Sequence, residues 1–289
     1  MADLSLAAHR PALRALPPGI VIPVIVIGLY ILTALAGPVL LGFDPVATSL
    51  ASRLKPPMTV LANGSLSLLG TDAVGRDLLA QMLAGARISL AVGAATLVLA
   101  SLIGVTLGVV AGYWGGWVDA IVMRVADIQL GFPSILLAVL VAAVIGPSLT
   151  NVVLVLAVTR WVVFARVARA QTLTIKARTF VDASRTLGAT DRHIILNCIL
   201  PALVAPILVV ATVQFGLVIV AEASLSFLGL GLPVGIPTWG GTISAGRNYL
   251  PDAWWISTMP GIALSILVIC VGILGDTLRD RLDPNLVTR

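Results

Sequence analysis

Long apolar stretches alternate along the chain with short polar segments that carry most of its arginines. A bilayer core about 30 Å thick needs about 20 helical residues, because backbone amides must find their partners within the segment there. Six stretches meet that need. The first runs from Ile20 to Leu41 and the second from Ile88 to Ala111, ending at the turn-rich Gly112–Gly116. The next, Ile128 to Thr159, is free of charge but too long for one crossing; Gly146-Pro147-Ser148 breaks it, so it predicts a hairpin of spans three and four. Span five runs from about Pro201 to Leu225, with Pro201 suited to a first helical turn, and span six from about Trp254 to Gly275. The pattern predicts an all-α polytopic membrane protein with six transmembrane helices. Residues 1–86 read as an N-terminal cytoplasmic segment, the first helix and an irregular external loop from Asp44 to Ala86; residues 87–289 read as a five-helix core with a polar loop at about 170–200.

Composition agrees with lipid as the main solvent. Of 289 residues, 58% are hydrophobic and 11% charged, against roughly 25% charged in a soluble domain. The net charge of +5 raises the question of nucleic acid, and its distribution excludes it. Seven of 18 Lys and Arg (Arg160, Arg166, Arg169, Lys176, Arg178, Arg185 and Arg192) fall in one stretch beside apolar spans, with no interleaved aromatics. A basic inter-span loop is what positive-inside topology produces. With a cytoplasmic N-terminus, eleven basic residues are inside: Arg10, Arg14, the six from Arg166 to Arg192, Arg279, Arg281 and Arg289. Four are outside (Arg53, Lys55, Arg76 and Arg247), with Arg87, Arg124 and Arg160 at or within helix ends, so both termini are expected in the cytoplasm. Ile20–Leu41 is long enough to stay as an anchor instead of being cleaved as a signal peptide. Cys198 and Cys270 read as buried thiols, and with two distant histidines they form no metal-ligand spacing. Gly104, Gly108 and Gly112 stack on one helical face, where another helix can approach closely.

Chemistry is sparse. A phosphate-cradling loop needs Lys after Gly, yet the only lysines are Lys55, after Leu54, and Lys176, after Ile175. No nucleophile–base or paired-carboxylate spacing stands out, and Glu222 is the only glutamate. Enzymatic function is unsupported, no cofactor is expected in this chain, and energy for active transport has to arrive from a partner.

The polar loop between spans four and five is the informative segment. Thr179 followed by Asp182 is a capping-box pattern. Phe180, Ala183 and Leu187 then share a face at three- and four-residue spacing. Gly188 is placed to end that helix in a left-handed turn, and Thr190 or Asp191 to start a second. The expected result is a short bent helical pair with a small apolar face and a small-residue surface at Ala183 and Ser184, fit to dock a soluble partner.

The run Asp182-Ala183-Ser184, then Gly188, then Ile199-Leu200-Pro201, resembles the EAA loop of binding-protein-dependent ABC importer permeases, with Asp for the usual Glu and Ser for the second Ala. Leu69–Asp77, Gly85–Ser89, Gly112–Asp119, Glu222–Gly231, Trp239-Gly240 and Leu274–Pro284 also match. Together they resemble the C-type permease subunits of dipeptide, oligopeptide and nickel importers. The resemblance implies a type I ABC importer permease fold and four kinds of partner. These are a homologous B-type permease, two cytoplasmic ATPases that bind ATP and Mg, an extracytoplasmic substrate-binding protein, and membrane lipid. It also implies that the loop is a coupling helix gripped by an ATPase, through Phe180, Asp182, Ala183, Ser184, Leu187 and Gly188. The substrate it implies is a di- or oligopeptide, with nickel or another small solute as the alternative.

Polar groups inside spans are candidates for the pathway or a gate: Gln129, Gln214 and Glu222, with Asn151 beside them. Each could also bond helix to helix; for Glu222 the alternative is an interfacial residue held by the loop bearing Arg247. Arg124 and Asp127 read as a local ion pair, Trp239, Trp254 and Trp255 as interfacial anchors, and the loop with Asp72, Arg76 and Asp77 as either structural or a meeting place for partners. A secondary transporter would need intramembrane ionisable residues that the spans almost entirely lack.

Overall fold

The computed structural model describes residues 18–40, 44–61, 64–233 and 235–282. Arg10, Arg14 and Arg289, on which part of the charge asymmetry rests, lie outside those residues, as do Leu41 and Pro284.

The apolar runs form helices that overshoot their hydrophobic limits. Helix α1 is Pro18–Leu40 and α2 is Leu78–Trp114. Asp77 caps α2, its carboxylate accepting from the Ala80 amide at 3.0 Å, so the helix starts ten residues before the expected span. The connecting loop is correspondingly shorter, and holds a small antiparallel pair, β1 (Thr59–Val60) with β2 (Leu66–Ser67). The boundary at residues 86 and 87 falls within α2.

Span three differs most from expectation. It consists of α3 (Gly116–Leu130) and α4 (Ser134–Ile145), bent by 89° at Gly131–Pro133. Proline removes a donor and clashes with the preceding turn, which breaks the helix inside an unbroken apolar run. Helix α5 (Leu149–Lys176) begins with Ser148, whose hydroxyl accepts from the Asn151 amide at 3.0 Å, and continues far past Thr159. Short helices α6 (Thr179–Thr186) and α7 (Asp191–Ile194) follow. A wider π-type turn over Ile195–Ile199 leads into α8 (Leu200–Phe227), with Pro201 in its first turn. Then come α9 (Trp239–Gly246) and α10 (Trp255–Leu282).

The glycine stripe sets the central helix pair. An added Cβ would lie 2.6 Å from the Phe164 Cβ at Gly104, 2.8 Å from the Ala168 Cβ at Gly108 and 2.9 Å from the Thr172 Cβ at Gly112. The backbones touch because no side chain separates them. The partner numbers rise together, so α2 and α5 run parallel. An odd number of crossings must therefore connect them, and the bent α3–α4 pair counts as one. Antiparallel neighbours complete the order: Ala34 of α1 shares a cluster with Ala86 of α2, Gly37 faces Leu83, and Gly216 of α8 faces Val271 while Gly275 of α10 faces Thr212. The six crossings put the start of α1, the α6–α7 segment and the end of α10 at one end of the bundle. The 44–77 loop and α9 lie at the other.

Candidate functional site

Helix α6 begins at Thr179, but not as expected. Arg178 is the cap residue, in extended conformation and without a side-chain bond to the helix. Only Ala177 and Arg178 separate α5 from α6, so Thr179 is already helical and cannot reach back to the orphan amides; the anticipated capping box does not form. Asp182 does lie in the first turn, where its charge suits the helix dipole. It is exposed, 3.7 Å from Arg185.

The end of α6 follows the sequence expectation closely. Gly188 has φ of +86°, a conformation that costs a residue with a Cβ about 1 kcal/mol or more. The Ala189 amide donates to the Ser184 carbonyl at 3.0 Å and the Gly188 amide to the Arg185 carbonyl at 2.9 Å, closing a Schellman turn. Thr190 caps α7, its hydroxyl accepting from the His193 amide at 3.3 Å.

What holds this elbow was not visible in the sequence. Val181, fully buried, packs in a cluster with Val109 and Tyr113 of α2, Ala168 and Ile175 of α5, and Ile194, Ile199 and Leu203 beyond the elbow. The face named from the sequence points outward, as a docking face would: Phe180 is 48% and Leu187 88% exposed, and Ala183 is exposed as well. The bent pair thus seats one valine in the bundle and leaves two large apolar side chains uncovered. Tyr113 completes the seat. Its hydroxyl donates to the Asp191 carboxylate at 2.5 Å, Lys176 donates to its backbone carbonyl, and the Arg185 guanidinium lies 5.8 Å above its ring. Four elements (α2, α5, α6 and α7) therefore meet at one aromatic residue. These long-range contacts leave no periodic trace.

At the same end, Arg169 clasps Asp119 through Nε and Nη2 and Arg166 meets Asp127 at 2.6 Å, tying α5 to α3. Asp127 therefore pairs across helices and not with Arg124, since the α5 arginines reach it from a facing helix.

The pathway candidates do not gather in one place. Gln129 binds helix to helix: its Nε2 donates to the Val158 carbonyl at 2.9 Å, and its Oε1 accepts from the Trp161 Nε1 at 2.8 Å. Asn151 donates to the Gly146 carbonyl at 3.0 Å, closing the end of α4. Glu222 is fully buried near the opposite end of the bundle and accepts from the hydroxyls of Ser89 on α2 and Ser226, each at 2.8 Å. It is held by these serines and not by Arg247, whose guanidinium lies 5.9 Å from the Phe227 ring. A cleft of about 330 Å³ opens beside it, lined by Ser226, Arg76, Gln81 and Thr238. Gln214 is buried, its Oε1 without a hydrogen-bond partner among the described residues.

Asp72, Arg76 and Asp77 serve the loop itself. Asp72 accepts from the Arg76 Nε at 2.7 Å, from the Gln81 Nε2 at 3.0 Å and from two backbone amides. Trp239 and Trp255 are buried, donating to the Met82 and Thr71 carbonyls, so they are packing residues and not interfacial anchors; Trp254 is exposed. Cys270 is buried, whereas Cys198 is half-buried beside the elbow cluster.

The comparisons agree with this geometry. The chain is 38% identical over 258 residues to the di/tripeptide transport system permease protein DppC of Pseudomonas aeruginosa, covering 89% of this chain and 85% of that protein. It is 41% identical over 218 residues to the glutathione transport system permease protein GsiD of Pectobacterium atrosepticum, covering 75% and 72%. A chain of the inward-facing MetNI methionine ABC transporter superposes with a TM-score of 0.55 at 23% identity, over 71% of this chain and 96% of that one, which supports the fold. The profile of the binding-protein-dependent transport system inner membrane component matches residues 104–288. With more than half its length matched, the chain belongs to the binding-protein-dependent transport system inner membrane component family, the permease subunits of ABC importers.

Proposed function

We propose that this permease carries peptides, driven by ATP hydrolysed on two cytoplasmic subunits, one of which grips α6, and that it forms the path together with a homologous permease. One observation carries the coupling role. The elbow exposes Phe180 and Leu187 on a helix anchored by Val181 and Tyr113 to α2 and α5. Burying two such side chains in a partner groove is worth about 1.5–3 kcal/mol each. The rigid seat passes any displacement of α6 into the membrane helices. Ala183, Ser184 and Asp182 line the same elbow, and the turn at Gly188 sets its bend. ATP and Mg belong to the partner subunits, and an extracytoplasmic binding protein delivers cargo at the end bearing the 44–77 loop. The elbow and both termini then lie on the cytoplasmic side of the bacterial plasma membrane, in keeping with the basic residues clustered there. Peptide cargo is supported by the relatives that transport di- and tripeptides or glutathione.

Uptake of a labelled dipeptide into vesicles holding the assembled complex tests this reading. It should require ATP on the elbow side and the binding protein on the other. Uptake that persists with ATP hydrolysis blocked and a proton gradient present would overturn it.

A further inference from the structure

Among the described residues, three buried polar side-chain atoms have no hydrogen-bond partner: the Thr96 hydroxyl on α2, the Arg160 Nε on α5 and the Gln214 Oε1 on α8. They belong to three helices and lie within about one turn of one another in depth. One apolar cluster joins Val92, Leu156 and Val218. A second joins Ala100 and Phe164, with Ala211 packed against it. Thr96 falls between Val92 and Ala100, Arg160 between Leu156 and Phe164, and Gln214 between Ala211 and Val218. Each is about one turn from its flanking residue on either side. Thr96 and Gln214 therefore sit unsatisfied in the α2–α8 core, with Arg160 about one turn further along α5. Eleven residues of α5 precede Arg160, which sets it roughly 17 Å along the helix and deep in the bilayer.

Arg160 is the unusual member. A guanidinium in the membrane faces a cavity or a partner, and it needs an anion. No carboxylate among the described residues lies within ion-pair distance of it, since Asp119, Asp127 and Asp72 are taken by Arg169, Arg166 and Arg76. Glu222 is held by its two serines. Thr96 and Gln214 are buried, whereas Arg160 is half-buried and reaches the surface of the bundle. None of the described carboxylates serves it, and its half-buried side chain is open to one from another molecule.

We propose that Arg160 is a carboxylate-recognition point on the translocation path and takes the C-terminal carboxylate of the cargo. The planar guanidinium fork suits a carboxylate. This assignment rests on the peptide reading above. A carboxylate of the second permease would offer the same chemistry, and the test separates the two.

The test uses the complete transporter with its binding protein in proteoliposomes. Uptake of Ala-Ala and of its C-terminal amide is measured for the wild type, Arg160→Gln and Arg160→Lys, with binding-protein-stimulated ATP hydrolysis reporting assembly. The acid-to-amide uptake ratio should fall about tenfold in Arg160→Gln, the worth of one charge-assisted bond, with amide uptake retained. Arg160→Lys, which keeps charge without the fork, should recover part of the ratio and serves alone if the glutamine variant does not assemble. An unchanged ratio in the variants overturns the assignment. So does an equal loss for both cargoes, which identifies the second permease as the source of the carboxylate. If the wild type carries neither peptide, the peptide reading itself fails, a result that no variant comparison can mimic.

Discussion

Tyr113, in the last turns of α2, donates to the Asp191 carboxylate at 2.5 Å across 78 residues of sequence, joining a membrane helix to the turn beyond α6. A hydrogen bond to a charged acceptor contributes about 1.5–3 kcal/mol. Tyr113→Phe keeps the ring in its cluster and removes the hydroxyl that meets Asp191 and Arg185. The variant should assemble, but transport fewer peptides per ATP hydrolysed, by several-fold, because the elbow can move without α2. Paired measurements of uptake and hydrolysis on one preparation check this; an unchanged ratio would separate Tyr113 from coupling.

Gly108 lies where α2 touches α5, and a side chain there has no room, since even a Cβ comes within 2.8 Å of the Ala168 Cβ. Gly108→Val should destabilise the protein by about 3 kcal/mol or more through overpacking at a backbone contact. Thermal unfolding in detergent reads this directly. A melting temperature within a degree of wild type would mean that the two helices separate easily.

Glu222 clamps α8 to α2 through Ser89. Glu222→Ala leaves two buried hydroxyls without their acceptor and a cavity beside them, at a cost of about 2–4 kcal/mol. Glu222→Gln keeps an oxygen acceptor and most of the volume, and should cost less than half as much. Equal losses from the two substitutions, measured by chemical unfolding in detergent, would point to a requirement for the carboxylate itself.

Gln129 joins α3 to Val158 and Trp161 of α5, so Gln129→Leu should lower stability by about 1–2 kcal/mol and leave peptide preference as in wild type. Altered preference among cargoes would return Gln129 to the pathway.

The crossings were legible in the sequence because lipid imposes a length and forbids open backbone, and Ile20–Leu41 or Pro201–Leu225 satisfy both requirements over nearly their whole extent. Helix ends were not, because hydropathy marks where lipid stops and not where helical bonding stops. Helix α5 continues past Thr159 on arginines that Asp119 and Asp127 neutralise, an arrangement set by a neighbouring helix. The apolar run does break at Gly146–Ser148, between α4 and α5, as its turn residues predict, but the additional 89° bend at Gly131–Pro133 leaves no mark in hydropathy. In the elbow, Gly188 was readable because a left-handed turn selects glycine locally. Val181 and Tyr113 were not, since their partners lie far away in sequence.

The most direct test concerns Leu187, the most exposed large apolar residue of the elbow at 88%. With Cys198 and Cys270 replaced by serine, Leu187→Cys in the assembled transporter should form a disulfide with single cysteines placed along the groove of one ATPase subunit, with a yield that changes when ATP binds. A Leu187→Cys thiol that crosslinks to no ATPase position, or reacts with a membrane-impermeant reagent from the binding-protein side, would contradict the coupling role.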